Sequence, residues 1–416
     1  MAKEKKERFI LELELLTDDM QEDILNKRME IARRIYNQCV SKTQKQYQEM
    51  IKTKRYRMIQ TELRKIQSEK EEGNKTKTPR EKELYQEQNL LYREFGFSEF
   101  GMGALAMKQG KAFSRHLDST ACQSLGTRLW QAWDKFLFHD GESVHFRKYK
   151  KLNSISGEYN HTGITIRKKF THPSWEGERL ALVWGQTSRN INLIIRIKEP
   201  KNDYEKEALE NEIAYSRIVR RTRNGKTKFY VQIVLKGTPP IKTDKSGKIL
   251  HPLGRGEANI KLNTQSVIVS KDGINTKFEL AKDVQPIEDK MQEVERALTR
   301  SRIATNPDKY NADGTVKKLP RNKLNKWNRS KRYLKLKNKK QSLYGKQADV
   351  RKMQHEILAN TIASMGDTFI VAHPDFKKKQ KDNGKTIANR APSEFLDILK
   401  RKVAGLGGTI TTYIEE

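Results

Sequence analysis

The run of cations between residues 317 and 352 is the part of the sequence whose residue types point most directly to chemistry. The run contains fifteen Lys or Arg residues and a single acid, Asp349. A solvated helix normally places acids about four residues from its cations, and this run offers almost none. Phosphate groups are therefore the expected counterions. The run predicts a nucleic-acid-binding surface formed by Lys326, Arg329, Lys331, Arg332, Lys335 and Arg351.

The identity of the polyanion stays open at this level, because such a run would suit RNA, DNA or a ribosome. Trp327, Tyr333 and Tyr344 lie among the cations. Aromatic side chains in a basic surface can stack on bases. Packing on the protein is the alternative that we favour for these three.

The whole chain shares this excess of positive charge. Its 416 residues include 84 Lys and Arg against 52 Asp and Glu, which gives a formal net charge of +32. Binding a polyanion relieves such self-repulsion, so nucleic acid is the expected partner. An anionic membrane is the weaker alternative, because no apolar stretch approaches the roughly 18 residues of a spanning helix. Cys39 and Cys122 lie on separate helical patterns and predict buried thiols in a reducing cytosol.

The periodicity of apolar residues divides the first part of the chain. Residues 8–17 alternate apolar and polar side chains, which predicts a half-buried strand. Helical spacing follows, with N-cap signals at Thr78-Pro79 and at Asp118. Short strand-like segments then return, the first being Val144-His145-Phe146. We expect an OB-like β-barrel made of residues 1–19 and 139–250, with a helical domain at residues 20–138 inserted after its first strand.

Residues 251–416 show strands joined by helices. Two strands flank a tight turn at Lys271-Asp272-Gly273, a long helix follows, and basic helices at about residues 317–352 lead to the apolar strand Thr368-Phe369-Ile370-Val371. This order suits an RNase-H-like layer. The predicted fold class is therefore a multidomain α+β protein in which the barrel and its helical insertion precede an RNase-H-like α/β domain.

Several segments of the sequence resemble the TnpB family. They are Asn306-Pro307-Asp308-Lys309-Tyr310-Asn311-Ala312-Asp313-Gly314-Thr315, Ser330-Lys331-Arg332-Tyr333, Lys346-Gln347-Ala348-Asp349-Val350-Arg351-Lys352-Met353-Gln354-His355-Glu356, Gly96-Phe97-Ser98-Glu99-Phe100 and Val144-His145-Phe146-Arg147-Lys148-Tyr149. TnpB is the RNA-guided nuclease of small transposons and the ancestor of the type V CRISPR effectors. The resemblance spans essentially the whole chain. It implies that the barrel is the WED domain, the helical insertion the REC domain and the last domain RuvC-like.

The resemblance also implies partners. A guide RNA pairs with double-stranded target DNA, and the protein reads a short motif beside the target. We expect one protein copy per guide RNA, no membrane partner, and a cytoplasmic, nucleoid-associated location in a bacterial cell. Candidate readers of the motif are polar and aromatic residues at the heads or faces of two helices, for which helix capping and surface exposure are the alternatives: Tyr36, Asn37, Thr43, Gln46, Ser119, Thr120 and Gln123.

The acids of a RuvC nuclease are missing where the resemblance places them. Such sites need clustered carboxylates that hold two divalent ions. The family's first Asp corresponds to Lys261, in Asn259-Ile260-Lys261-Leu262-Asn263-Thr264-Gln265, and its Glu corresponds to Ala372, in Val371-Ala372-His373-Pro374-Asp375-Phe376. The third acid and the paired Cys-x-x-Cys zinc module would follow residue 416, so we expect a C-terminally truncated RuvC-like domain. His373 and Asp375 are expected to serve only the turn at Pro374.

The resemblance therefore implies a TnpB-like protein of the nuclease-dead TldR kind, with no catalytic residues, no catalytic magnesium and no zinc. Such a protein would occupy a promoter under RNA guidance and repress transcription. A guide-independent RNA- or DNA-binding protein derived from a transposon nuclease is the alternative function. An active nuclease and a decayed gene are the remaining hypotheses.

Overall fold

The computed structural model describes residues 7–70, 76–139, 141–185, 191–223, 226–244, 246–317 and 327–415. The chain divides into two compact units. Unit 1 comprises Met1–Arg221 and Lys228–Thr238, and unit 2 comprises Thr222–Thr227 and Pro239–Glu416.

Unit 1 consists of a curled antiparallel sheet and a set of helices that follow its first strand. Strand β1 (Arg8–Leu16) leads into helices α1 (Asp19–Lys52), α2 (Lys54–Ser68), α3 (Pro79–Glu94), α4 (Glu99–Gly110) and α5 (Ser119–Phe138). The chain continues through strands β2 (Ser154–Ser156), β3 (Ile164–Phe170), β4 (Arg179–Trp184) and β5 (Leu193–Ile197), helix α6 (Asp203–Glu210), and strands β6 (Ile213–Arg223) and β7 (Lys226–Lys236).

Strand β1 joins the two halves of the sheet of unit 1. The strand order is β2-β6-β7-β1-β5-β4-β3, and within the described residues no pairing closes β2 onto β3. Phe9, Leu11, Leu13 and Leu15 are buried while the intervening residues are exposed or half-buried, which is the period-2 pattern of a strand with one core face. This alternation fixes the register of β1, because a one-residue slip would turn these side chains to solvent.

Helix α1 starts at a capping box. The Asp18 carboxylate accepts a hydrogen bond from the Gln21 amide at 2.7 Å, and the Gln21 side chain accepts one from the Asp18 amide at 3.1 Å. These bonds satisfy amide groups that have no partner within the helix. The buried face of α1 packs with α4, α5 and the sheet in one apolar core.

Unit 2 is a mixed α/β layer. Its elements are strands β8 (Glu257–Leu262), β9 (Ser266–Lys271) and β10 (Ile274–Glu279), helices α7 (Gln285–Thr305) and α8 (Lys331–Ala363), strand β11 (Thr368–Pro374), helices α9 (Phe376–Arg390) and α10 (Pro392–Gly405), and strand β12 (Thr409–Glu415). The strand order is β10-β9-β8-β11-β12. Strands β8, β9 and β10 are antiparallel, whereas β11 runs parallel to both β8 and β12.

The core of unit 2 lies on one face of this sheet. Ile260, Val269, Phe369 and Val371 are buried there together with apolar residues of α8 and α10. The hairpin between β9 and β10 turns at Asp272 (φ 51°) and Gly273 (φ 76°). Two consecutive positive φ values match the twist of the flanking strands, and an Asp-Gly pair adopts them readily.

Candidate nucleic-acid interface

The two positions that lack the expected acids lie side by side in unit 2. Lys261 near the end of β8 and Ala372 in β11 are partners in the parallel pairing of these strands. The same position of β11 is paired with Tyr413 of β12. Residues in register on neighbouring strands direct their side chains to the same face of the sheet. An amine, a methyl group and a phenol ring therefore occupy adjacent positions on one face.

A carboxylate at the end of β12 neutralises Lys261. The Glu415 Oε2 atom lies 3.1 Å from the Lys261 Nζ atom, and the side chains are partly exposed. The Glu415 carboxylate is therefore already paired with the Lys261 ammonium group. A metal ion at this position would have to displace that ammonium and remain close to its charge.

His373 and Asp375 follow Ala372 and have local structural roles. The Asp375 carboxylate caps α9 by accepting a hydrogen bond from the Lys377 amide at 2.9 Å. The His373 ring stacks on Phe376 with the ring centroids 5.6 Å apart. Among the residues with described structure, no group of three or more His, Cys, Asp or Glu side chains is arranged to hold a metal ion.

The N-terminal half of α8, residues 331–346, is the strongest cationic feature of unit 2. We call it the basic half of α8. It contains seven Lys or Arg and no Asp or Glu. Its exposed cations without a carboxylate partner anywhere in the described part of the chain are Lys331, Arg332, Lys335, Lys337, Lys339 and Lys346. Lys340 differs from them, because its ammonium pairs with Glu295 of α7.

Helix α8 covers the later part of the basic helices predicted at about residues 317–352, and residues 318–326 of that prediction lie outside the described residues. Ser330 caps the helix by accepting a hydrogen bond from the Tyr333 amide at 3.1 Å, so helical structure begins at Lys331. Residues 327–329 precede the cap without regular structure. The buried Asn306 holds Asn328 through two hydrogen bonds of 2.8 and 3.0 Å. Trp327 lies against the Arg302 guanidinium at 3.8 Å and near Tyr310, so its ring packs on the protein.

The predicted nucleic-acid-binding residues fall into three groups. Arg329, Lys331, Arg332 and Lys335 are exposed at or near the start of α8. Arg351 instead connects helices, because it donates hydrogen bonds to the Glu394 carboxylate and to the Ala388 carbonyl, both at 3.0 Å. Lys326 lies outside the described residues.

The predicted motif readers on α1 divide between core and surface. Tyr36 and Thr43 are buried, and burial raises the pKa of Tyr36. The Thr43 hydroxyl donates to backbone carbonyls of its own helix and accepts a 2.9 Å hydrogen bond from the Trp133 indole. Asn37 and Gln46 are half-buried, and Asn37 bonds to the backbone of Arg147.

The predicted readers on α5 surround its N-cap. Asp118 is the cap residue, and its carboxylate accepts hydrogen bonds from the Ala121 amide, the Thr120 hydroxyl and the Trp184 indole. Ser119 and Gln123 are exposed, and Thr120 is half-buried. Both groups of readers lie in unit 1, in the same helical layer as the buried cysteines. Burial raises the pKa of Cys39 and of Cys122 to about 12, so both thiols stay protonated.

The segment Val144-His145-Phe146, predicted as a strand, is not one. It is extended, but it pairs with side chains of α1 and with no strand of the described residues. Residues 145–151 are all exposed, and four of the seven are Lys or Arg. The sequence prediction did not include these residues among the candidates for nucleic-acid binding. The alternation of cations with Phe146 and Tyr149 was the signal that could have identified them.

Comparison with known proteins gives one family match and one structural likeness to report. Residues 11–52, the end of β1 and all of α1, match the family model HTH_OrfB_IS605, described as a helix-turn-helix domain. This match covers about a tenth of the chain and supports a resemblance to TnpB there. No curated protein matches the chain. The chain is similar to a cryo-EM structure of a Cas12f1–sgRNA–target DNA complex, with a TM-score of 0.43 and 12% identity, covering 98% of this chain and 89% of that one.

No helix in the described ranges is both long enough and apolar enough to cross a bilayer.

Proposed function

We propose that this chain is a nuclease-dead, TnpB-like protein of the TldR kind. In this proposal it binds a guide RNA, occupies matching double-stranded DNA at a promoter and represses transcription without cutting. The observation that carries the proposal is the pairing of Lys261 with Ala372 on adjacent strands, at the two positions where the resemblance requires acids. The basic half of α8, in the same unit, supports retained nucleic-acid binding.

The proposed absence of cutting rests on an electrostatic argument. Two-metal cleavage requires carboxylates that hold the ions on both sides of the scissile phosphate. Two unit charges about 4 Å apart interact by roughly 4 kcal/mol at a dielectric typical of a protein surface. An ammonium in place of a carboxylate reverses the sign of this interaction, and a methyl group contributes no ligand. The proposal therefore includes no catalytic magnesium.

The retained cations would hold nucleic acid through its backbone. Phosphate contacts orient a nucleic acid but carry no sequence information. Sequence selection would come from pairing between the guide RNA and one DNA strand, next to a short motif that the protein reads. Occupation of a promoter by this complex would exclude RNA polymerase sterically.

Sequencing the RNA that co-purifies with the chain tests this proposal. We expect one enriched species, one copy per protein, with a segment that matches a promoter in the host genome. The Lys335→Ala, Lys337→Ala, Lys339→Ala variant is compared with the wild-type chain. It should retain less of the same RNA, because it lacks three cations that would contact the RNA phosphates. A flat RNA profile from the wild-type chain would contradict the proposal.

A guide-independent binder is the second candidate function. The observation that favours it is that unpaired lysines on α8 provide sequence-independent attraction by themselves. Binding measurements separate the two functions. A guide-independent protein should bind matched and scrambled duplexes equally at every salt concentration, whereas a guided one requires complementarity and the adjacent motif.

A further inference from the structure

A short exposed segment of unit 1 has an unusual construction. Residues 145–151, which we call the strap, have the sequence His-Phe-Arg-Lys-Tyr-Lys-Lys, and every one of these residues is exposed. The residues at both ends, Val144 and Leu152, are buried in the core of the unit. The strap is therefore fixed at both ends by apolar packing while its side chains face solvent.

Side chains of helix α1 form hydrogen bonds with the backbone of the first half of the strap. The Asn37 side chain accepts a hydrogen bond from the Arg147 amide at 2.8 Å and donates one to the Arg147 carbonyl at 3.0 Å. Arg33 donates to the same carbonyl at 3.0 Å, and Gln44 donates to the Val144 carbonyl at 2.9 Å. These bonds use the backbone of the strap and do not engage its side chains.

A buried arginine holds the second half. Arg220 of β6 donates to the carbonyls of Lys150 and Leu152, each at 3.2 Å, and to the Asn26 side chain at 2.8 Å. Burial lowers the pKa of Arg220, which shows that this guanidinium is placed where charge is costly. Lys150 adopts a positive φ of 56°, a conformation that non-glycine residues rarely adopt. The fold therefore holds the strap in one particular conformation.

The exposed side chains of the strap combine aromatic rings with unneutralised cations. Phe146 is 50% exposed and Tyr149 is 66% exposed. Arg147, Lys148, Lys150 and Lys151 carry positive charge, and in the described ranges none of them has a carboxylate within ion-pair distance. The Arg147 guanidinium lies 5.6 Å from the Tyr36 ring centroid, and the Lys150 ammonium lies 5.5 Å from the Tyr149 ring centroid.

A shallow, open cleft adjoins the strap. It has a volume of about 300 Å³ and is lined by residues of α1: Arg33, Arg34, Asn37, Gln38 and Ser41. Arg33 and Asn37 belong to both features, since they line the cleft and hold the strap. Both guanidinium groups of the cleft are paired with the Glu30 carboxylate, Arg33 at 2.6 Å and Arg34 at 3.6 Å. The cations that remain for phosphates are therefore those of the strap itself.

We infer that the strap is a binding surface for single-stranded nucleic acid, on which unpaired bases stack against Phe146 and Tyr149 while the cations contact the backbone. This inference rests on the proposed nucleic-acid-binding function, but it does not depend on guidance. Aromatic side chains interleaved with cations on a fixed backbone are the features that bind single strands without sequence preference. A duplex keeps its bases stacked on one another and offers these rings no base face.

The test uses the full chain, freed of co-purified RNA, and a labelled single-stranded RNA of about 12 nucleotides. Phe146→Ala and Tyr149→Ala should each weaken binding of this RNA by about tenfold. The affinity for a duplex DNA of the same length should change by less than about twofold, because the cations are retained. The matched control is Phe100→Ala, which removes a phenylalanine that is 86% exposed on α4 of the same unit.

Phe146→Trp provides a second variant that keeps a ring in place, and it should bind RNA as tightly as the wild-type chain. Equal losses for Phe146→Ala and Phe100→Ala, or equal losses on single strand and duplex, would overturn the inference. Guided binding is measured in parallel with the RNA-loaded complex on matched duplex DNA. If that binding is absent while the strap variants still lose RNA affinity, the proposed guided function fails and the strap inference stands. If guided binding is present and the strap variants lose nothing on RNA, the strap inference alone fails.

Discussion

Lys261 of β8 and Ala372 of β11 are register partners in the central parallel pair of the five-stranded sheet of unit 2. More than a hundred residues separate them in the chain. The fold brings to one position the two residues at which the TnpB resemblance places metal-binding acids. The Glu415 carboxylate, 3.1 Å from the Lys261 ammonium, completes a neutral ion pair there.

Restoring acids at this position should create affinity for divalent cations. In the Lys261→Asp, Ala372→Glu variant, two carboxylates lie on adjacent strands near Glu415, and we expect Mn²⁺ to bind at least about tenfold more tightly than to the wild-type chain. Electron paramagnetic resonance of added Mn²⁺ measures the change. Lys261→Asn, Ala372→Gln is the control, with side chains of the same size and no charge. Tight Mn²⁺ binding by the wild-type chain at this position would refute the electrostatic argument.

The basic half of α8 should contribute to affinity through counterion release. Lys335→Ala, Lys337→Ala, Lys339→Ala removes three cations that lack carboxylate partners in the described chain. For the RNA-loaded chain on matched duplex DNA, the slope of log affinity against log salt should fall in magnitude by about three. Lys206→Ala is the control, because Lys206 already pairs with Asp203 on α6. An unchanged slope would show that α8 does not contact the phosphate backbone of the DNA.

Thr43 should matter for stability rather than for target choice. Thr43→Val leaves the buried Trp133 indole N–H without its acceptor, at a cost of about 1–3 kcal/mol in the free energy of unfolding. Urea denaturation monitored by tryptophan fluorescence measures this loss. Ser119→Ala, at an exposed position, should change stability by less than about 0.5 kcal/mol. A Thr43→Val chain of normal stability with an altered adjacent-motif preference would support the role predicted from the sequence.

His355 should make unit 2 less stable at acidic pH. Burial lowers the pKa of His355 from its ordinary value of 6.5, with Glu394 opposing and Arg351 reinforcing the shift. The unfolded chain therefore takes up a proton below about pH 6.5 that the folded chain does not, so stability is complete above this pH and decreases as the pH falls.

The His355→Leu variant removes this proton linkage. The free energy of unfolding of the wild-type chain should drop relative to the variant by up to about 1.4 kcal/mol per pH unit below pH 6.5. Denaturation at pH 7.5 and pH 5.5 checks the difference. His161→Leu, which removes an exposed ring, is the control. Parallel pH profiles for the wild-type chain and His355→Leu would rule out the effect.

Local signals in the sequence predicted the elements that depend on local chemistry. The alternation in residues 8–17 corresponds to β1 (Arg8–Leu16). Thr78 followed by Pro79 starts α3, and Asp118 caps α5, as their side chains predict. The Asp272-Gly273 turn was likewise predicted, because few residue pairs accept two positive φ values.

Elements that depend on distant partners could not be predicted in the same way. The sequence of β6 (Ile213–Arg223) is rich in arginine and resembles a solvated segment. Its arginines find partners far away in the chain: Arg217 bonds to Ser156, Arg220 to Leu152 and Arg221 to Glu12. The prediction of a strand at Val144 failed for the same reason, since side chains of α1 provide its hydrogen bonds.

The candidate site also depends on residues that are distant in the sequence and could not be predicted from local signals. No periodicity could place Lys261 beside Ala372; only the family resemblance indicated that these positions belong together. Exposure could not be predicted either, because Tyr36 and Thr43 share the polar or aromatic character of a base-reading residue and are nevertheless buried.

The most direct test of the account is a single incubation of the RNA-loaded chain with labelled duplex DNA in the presence of Mg²⁺. The duplex carries the sequence matched by the co-purified RNA and its natural flanking motif. We predict a stable shifted complex on this DNA, none on a duplex with a scrambled match, and full-length strands when the complex is denatured. Cleaved strands from the matched duplex, or equal retention of the scrambled one, would contradict the central claim that the chain binds under guidance and does not cut.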